Sequence, residues 1–343
     1  MSSKLTVHYL GQPERGSPTT EVIRDGPFPW IKGIDVDTWP EPASQLFPGK
    51  RVLARFWLGD GGDSQEYNYM ARGAAGAVDY VDRLMQRYYK VYEAGVRDIL
   101  GPNEPHPNPD NWRAYEEFEA TWVRRVSSIG FNPWVWSFGV GWPGLLEGGD
   151  VITARNFIGS IGLAMEAGGG LELHEYGAPQ VLSGEGWWTL RYRKLLRELQ
   201  TAGLHDVPIW IGECGIDGGV IGKGGQGWKA FTTIGDYWLQ LSAYDDELAK
   251  DNEVVAASVF VTNPNNDKWA SFDVAEWLLR QMSAKHDALP PEPPDPPCNC
   301  EELWAEIEDV REVLRELCYR MADNAEQMSE WLDGMGKQLG PRE

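Results

Sequence analysis

No stretch of eighteen apolar residues occurs anywhere in this 343-residue chain, which excludes a membrane-spanning helix of ordinary length. The opening Met-Ser-Ser-Lys-Leu-Thr-Val-His-Tyr-Leu holds too short an apolar core for a secretory signal. The expectation is therefore a cytoplasmic protein, or one released by lysis or carried on a virion. Cysteine is scarce: Cys214, Cys298, Cys300 and Cys318 are too few for a disulfide scaffold, and with no Cys-x-x-Cys pair and no histidine cluster a metal site is not expected. Basic residues are outnumbered 31 to 52, for a formal charge of −21. That balance excludes partners that demand clustered Lys and Arg, namely nucleic acid and anionic membrane surfaces, and it favours a neutral substrate.

What is present in excess is aromatic. Seventeen Trp and thirteen Tyr exceed what a core requires, and flat rings with polar edges suit stacking against sugars. Hydrophobic residues make up 42% of the chain, ample for a large core.

The organising stretch is Ile209-Trp210-Ile211-Gly212-Glu213-Cys214-Gly215, an apolar run that breaks into a carboxylate and then glycine, as at the end of a strand buried on both faces. Asp98-Ile99-Leu100-Gly101-Pro102-Asn103-Glu104-Pro105 repeats the pattern. Eight β-type runs are expected, at 5–10, 30–36, 51–58, 98–101, 134–138, 171–176, 208–212 and 255–261. Helical periodicity lies between them at 74–94, 111–128, 153–167, 187–202, 229–247 and 275–285. This alternation predicts a parallel sheet with crossover helices, and eight strands with mostly helical crossovers predict a (β/α)8 (TIM) barrel over residues 1–287, the first two connections being short and rich in Pro and Gly. A doubly wound open sheet would carry a Gly-rich phosphate turn after its first strand, and Leu10-Gly11-Gln12-Pro13 is not one.

Residues 288–300 are rich in proline and predict a semi-rigid spacer. Beyond it, over 301–340, apolar residues recur in steps of four and three from Leu303 to Met335, with Asn324 at one core position. That heptad repeat predicts a coiled-coil helix joining copies of the chain over 303–335, a trimer being favoured over a dimer by the β-branched Val310 at a d position. The alternative is a single helix folded back on the barrel. Cys298 and Cys300 stand where they could staple chains in an oxidising setting.

Glycoside hydrolysis with retained configuration needs one carboxylic acid at the leaving oxygen and one carboxylate to attack the anomeric carbon, about 5–5.5 Å apart. Glu104 and Glu213 end the fourth and seventh strands, which meet across one barrel mouth. For Glu104 to serve as the acid it must be protonated near neutral pH, a state the negative charge of Glu213 would favour. Asp35 and Asp37, after the second strand, are candidates for contact with sugar hydroxyls.

Asn103-Glu104-Pro105, His174-Glu175-Tyr176 and Gly212-Glu213 together resemble the retaining (β/α)8 glycoside hydrolases of clan A, which include cellulases, xylanases, mannanases and xylosidases. The resemblance spans about residues 5–285. It implies Glu104 as acid/base, Glu213 as nucleophile and Asn103 on the substrate 2-hydroxyl, with Tyr176, two residues beyond His174, touching nucleophile and sugar. It further implies Arg55 as the cation that keeps the nucleophile ionised, although Arg55 falls on the third expected strand where the clan often uses the second. Trp269 resembles the tryptophan that floors the sugar subsite. No cofactor is implied. A β-linked polysaccharide or cell-wall glycan is the expected substrate, and an oligomerising tail suits a phage-encoded enzyme as well as a bacterial one.

Each feature has a plainer reading. Asn103-Glu104-Pro105 could be a solvated turn, and His174 a satisfied core histidine. Glu172 and Glu175 could bind substrate or be surface residues, and Trp142, Trp187 and Trp188 could line subsites or pack on helices. Cys214 should point away from the site. The competing functions are a non-catalytic carbohydrate-binding or virion-structural barrel, and a nucleotide enzyme using the Gly-rich stretch at 218–227.

Overall fold

The computed structural model describes residues 2–59, 63–264 and 266–287. The expected spacer and coiled coil lie outside the described residues, as do Cys298, Cys300 and Cys318. Eight strands, β1 (Leu5–Tyr9), β2 (Trp30–Ile34), β3 (Arg51–Arg55), β4 (Asp98–Leu100), β5 (Asn132–Phe138), β6 (Gly170–Gly177), β7 (Ile209–Ile216) and β8 (Val254–Thr262), form a closed barrel in sequence order. Every neighbouring pair is parallel, and β1 closes on β8. The fold is the (β/α)8 barrel expected. Helices α1 (Pro18–Asp25), α2 (Ala43–Leu46), α3 (Asp63–Met70), α4 (Gly73–Glu93), α5 (Trp112–Ile129), α6 (Ile158–Glu166), α7 (Tyr192–Thr201) and α8 (Ile234–Leu248) lie between the strands, and α9 (Glu276–Asp287) follows β8. Among the described residues no helix is long and apolar enough to cross a membrane.

Three helices start later than their periodicity suggests: α6, whose expected first turn is the separate 3-10 turn Ala154–Phe157, α7 and α8. Residues 187–191 precede α7 rather than opening it, because the fully buried Glu175 carboxylate accepts from the N–H groups of Leu190 and Tyr192 and so satisfies donors at the helix start. Glu175 is thus neither a surface nor a substrate residue. Helix α8 begins at Ile234, where the Thr233 side chain accepts from Asp236 N–H as N-cap.

Alternation divides each strand between two environments. Outward residues such as Val7, Ile31, Ile99 and Ile211 join the core shared with the helices, where α4 contributes Tyr80, Leu84 and Tyr88 and α5 contributes Phe118 and Trp122. Inward residues fill the barrel in layers. The floor is apolar: Trp30, Trp134 and Trp210 meet edge to face with centroids 4.8, 5.3 and 6.4 Å apart, alongside Leu53, Leu100 and Ala256. The indole N–H groups of Trp134 and Trp210 are satisfied by Asp98 and Ser258. Above that floor the interior turns polar, with His8, Lys32, Arg55, Ser137, Glu172 and His174 all buried.

Candidate active site

Where the strands end, a cavity of about 590 Å³ opens, lined in part by Asp35, Arg55, Asn103, Glu104, Glu213 and Trp269. Six of the residues singled out from the sequence therefore line one cavity. Two more, His174 and Tyr176, lie beneath it and hydrogen-bond its two glutamates.

Glu213 reaches the interior through an irregularity in β7. Strict alternation from the inward Trp210 would turn Gly212 inward and Glu213 outward. Instead Ile211 and Glu213 pair with the consecutive residues Leu173 and His174 of β6, leaving Gly212 as the extra residue of a bulge. The phase shifts by one, so Glu213 faces the barrel and Cys214 is buried outside it among the helices. Only glycine fits there: a Cβ on Gly212 would lie 1.3 Å from Glu172 Oε1. A second bulge, in β5, has Val135 and Phe138 pairing with Leu171 and Leu173. It sends Trp136 outward to Ser160 and turns Ser137 inward to His174.

Glu104 sits beyond β4 at φ 43°, a left-handed conformation unusual for glutamate. It is held there from both sides, by its own N–H donating to Ser137 O at 3.0 Å and by Tyr67 Oη donating to its carbonyl at 2.7 Å. Its carboxylate is the more open of the pair, the side chains of Glu104 and Glu213 being 37% and 13% exposed.

His174 stands between the two carboxylates. Its Nδ1 is 2.8 Å from Glu104 Oε1 and 3.6 Å from Glu213 Oε2, so those oxygens are separated by at most the sum of the two, 6.4 Å. Burial disfavours a charged imidazole, but Glu213 and Glu172, with the Glu104 hydrogen bond, outweigh it and raise the His174 pKa to about 10. Protonated, His174 also donates from Nε2 to Ser137 Oγ, which donates to Asn103 Oδ1 at 3.3 Å. Lys32, fully buried, places Nζ 2.8 Å from Glu172 Oε1 and 3.5 Å from Glu213 Oε1. Tyr176 Oη donates to Glu213 Oε2 at 2.9 Å. Against the burial that would raise it, the cations His174 and Lys32 and this hydrogen bond hold the Glu213 carboxyl far below the usual range. Glu172 is likewise kept at about 2, burial being outweighed by Lys32 and His174. His8, with Nδ1 3.5 Å from Glu213 Oε1, is kept neutral by burial and by the Lys32 charge, its pKa falling to about 3.

Arg55 ends β3, the third strand, and forms ion pairs with Asp63 at 2.8 Å and Glu66 at 3.9 Å, while its charge also interacts with that of Glu213. Lys32, on the second strand, stands closer to that carboxylate, with its Nζ 3.5 Å from Glu213 Oε1. Sequence reasoning passed over it, although a lysine in inward phase with Trp30 and Ile34 was the available signal. Glu172 is fully buried beneath the site as the partner of Lys32, not at the mouth. Asp35 lines the cavity, with Oδ1 accepting from Trp57 N–H and Arg87, and Asp37 pairs with Arg87 alongside. Trp269 packs edge-on to Phe260, which lines the cavity with it. The Gly-rich segment after β7 closes on itself through hydrogen bonds between Gly218, Lys223 and Gln226. Among the described residues no group of three His, Cys, Asp or Glu side chains is arranged to hold a metal ion.

No protein-family model matches the chain, and no curated protein does. Among solved structures it is similar to a GH128 (subgroup II) endo-beta-1,3-glucanase from Pseudomonas viridiflava, with 16% identity and a TM-score of 0.43 over 84% of this chain and 98% of that one. It is similar also to a GH5-4 broad specificity endoglucanase from an uncultured bacterium, with 12% identity and a TM-score of 0.47 over 81% and 86% of the two chains. A GH30 endoxylanase from Clostridium papyrosolvens gives 12% identity and a TM-score of 0.47 over 84% and 74%.

Proposed function

We propose that this chain is a retaining O-glycoside hydrolase of a β-linked glycan, with Glu213 as nucleophile and Glu104 as acid/base. The observation that carries the reading is the pair of glutamates on one cavity, bridged by His174, with facing oxygens at most 6.4 Å apart. That bound admits the roughly 5–5.5 Å separation of the carboxyl groups in retaining pairs.

In the first step the Glu213 carboxylate attacks the anomeric carbon while Glu104 gives its proton to the departing oxygen, breaking the glycosidic bond and leaving a glycosyl ester on Glu213. In the second, Glu104 takes a proton from water, whose oxygen attacks the same carbon and frees Glu213. Lys32, His174 and Tyr176 keep the nucleophile ionised. Asn103, whose Oδ1 accepts from Ser137, has Nδ2 left to donate to the sugar 2-hydroxyl. Trp269 and Phe260 offer the aromatic wall against which a ring packs.

The test is reducing-end release from β-glucans, xylan, mannan and peptidoglycan. Wild type turns over at least one, Glu213→Gln loses that activity while keeping its fold by circular dichroism, and Glu104→Gln falls by roughly 10²–10⁴-fold. Azide then restores Glu104→Gln, giving a glycosyl azide of retained configuration. Tight glycan binding with no turnover by the wild type would replace this reading with that of a carbohydrate-binding protein.

A further inference from the structure

A second cleft, of about 460 Å³, lies on another sector of the rim. Its walls are the segment that follows Glu104, through Pro107, Asn108 and Pro109, and the segment that follows β5, through Trp142, Val151 and Ile152. It shares no lining residue with the first cavity, whose wall comes largely from the segments after β1, β2, β3 and β8. Glu104 is the hinge between them. The β5 segment starts against its carboxylate, where a Cβ on Gly139 would stand 3.2 Å from Oε1. Trp142 N–H then donates to Gly139 O at 3.0 Å, and the Trp142 ring meets His106 edge to face at 5.6 Å.

Resting on the glycosidase reading, we infer that this second cleft binds the sugars on the leaving-group side of the scissile bond, so that the protein cuts within a β-linked chain. The chemistry orients the substrate. The ring attacked by Glu213 must occupy the cavity that Glu213 lines, and the oxygen protonated by Glu104 carries the rest of the chain away from Glu213. The cleft has the volume of a small-ligand site and the surfaces a pyranose asks for: a half-buried indole, and Val151, 75% exposed, as an apolar patch without a partner in the fold. Asn108 commits Oδ1 to the N–H groups of Asp110 and Asn111, which leaves its Nδ2 to donate to a hydroxyl. Asp150 commits Oδ2 to Leu145 N–H.

The test compares a substrate that needs this cleft with one that does not. The probes are the hexaoses of β-1,3-glucan, β-1,4-glucan, β-1,4-xylan and β-1,4-mannan, and the 2,4-dinitrophenyl glycosides of the matching disaccharides, whose leaving group needs neither a proton nor a sugar site. The readout is the ratio of kcat/KM on hexaose to kcat/KM on aryl glycoside. Trp142→Ala should lower it at least tenfold. Val151→Arg, at a solvent-exposed position that spares the core, should lower it at least threefold, and cleavage should move toward shorter leaving groups. Ratios within threefold of wild type in Trp142→Ala and unchanged in Val151→Arg would overturn the inference while the glycosidase reading stands. A wild type inert on every hexaose and every aryl glycoside would overturn both.

Discussion

Lys32 is a charge with no water to turn to. Its fully buried ammonium is held by Glu172 at 2.8 Å and shared with Glu213 at 3.5 Å. Removing one member of such a pair strands the other, at a cost of about 3–5 kcal/mol. Lys32→Met should therefore lower stability by that amount in urea denaturation, and Lys32→Met/Glu172→Gln should recover at least half of it, because the second change removes the stranded charge. An unchanged midpoint in the single variant would refute the arrangement. The same substitution has a kinetic sign. Lys32 favours the ionised form of Glu213, so its loss raises the nucleophile's pKa, and the acidic limb of the kcat/KM profile should move to higher pH.

At the scale of the element, the site is a matter of phase. The bulge at Gly212 turns Glu213 inward, and the bulge in β5 does the same for Ser137. Gly212→Ala would drive a methyl into the Glu172 carboxylate, and soluble yield should collapse; Gly212→Ala/Glu172→Ala/Lys32→Met, which clears the clash without stranding the Lys32 charge, should restore folding, as judged by a cooperative melt. Strands were legible in the sequence because parallel strands buried on both faces read as apolar runs cut by Gly and Pro, and the glutamates stood out as charges at the ends of such runs. What could not be read were contributions from afar. Glu175 helps start α7 from 15 residues upstream, and Lys32 finds Glu172 across 140 residues. No local pattern encodes either pairing. Arg55 was visible as a charge in inward phase, but its partners Asp63 and Glu66 sit on α3, a helix that the local periodicity did not announce.

For the whole molecule, buried acids set the dependence of stability on pH. Burial raises Glu66, Glu116 and Glu175 each to about 7 from an ordinary 4.5, against the bonds that favour their ionised forms, and it pushes the fully buried Glu119 well upward. A raised folded pKa means that the folded state holds the proton more tightly. The stability these groups confer is thus complete below about 4.5 and is lost as pH rises through 7. His174, despite its burial, is raised to about 10 from 6.5 by its carboxylate neighbours and has the same sign, its contribution being lost between those values. Glu172, held at about 2 against its burial by Lys32 and His174, has the opposite sign and loses its contribution as pH falls from 4.5. With a net charge of −21 adding self-repulsion at neutral pH, Tm should peak near about pH 5 and fall steadily to pH 8 in a calorimetric series. A maximum at pH 8 would contradict the burial of these acids. The tryptophan floor has a consequence of another kind. Trp30, Trp134 and Trp210 come from β2, β5 and β7, and at centroid spacings of 4.8–6.4 Å their transition dipoles couple, so the three indoles absorb circularly polarised light as one chromophore. That couplet exists only while the three strands share one closed wall, which gives the protein a built-in optical gauge of barrel closure that owes nothing to the cavity above it.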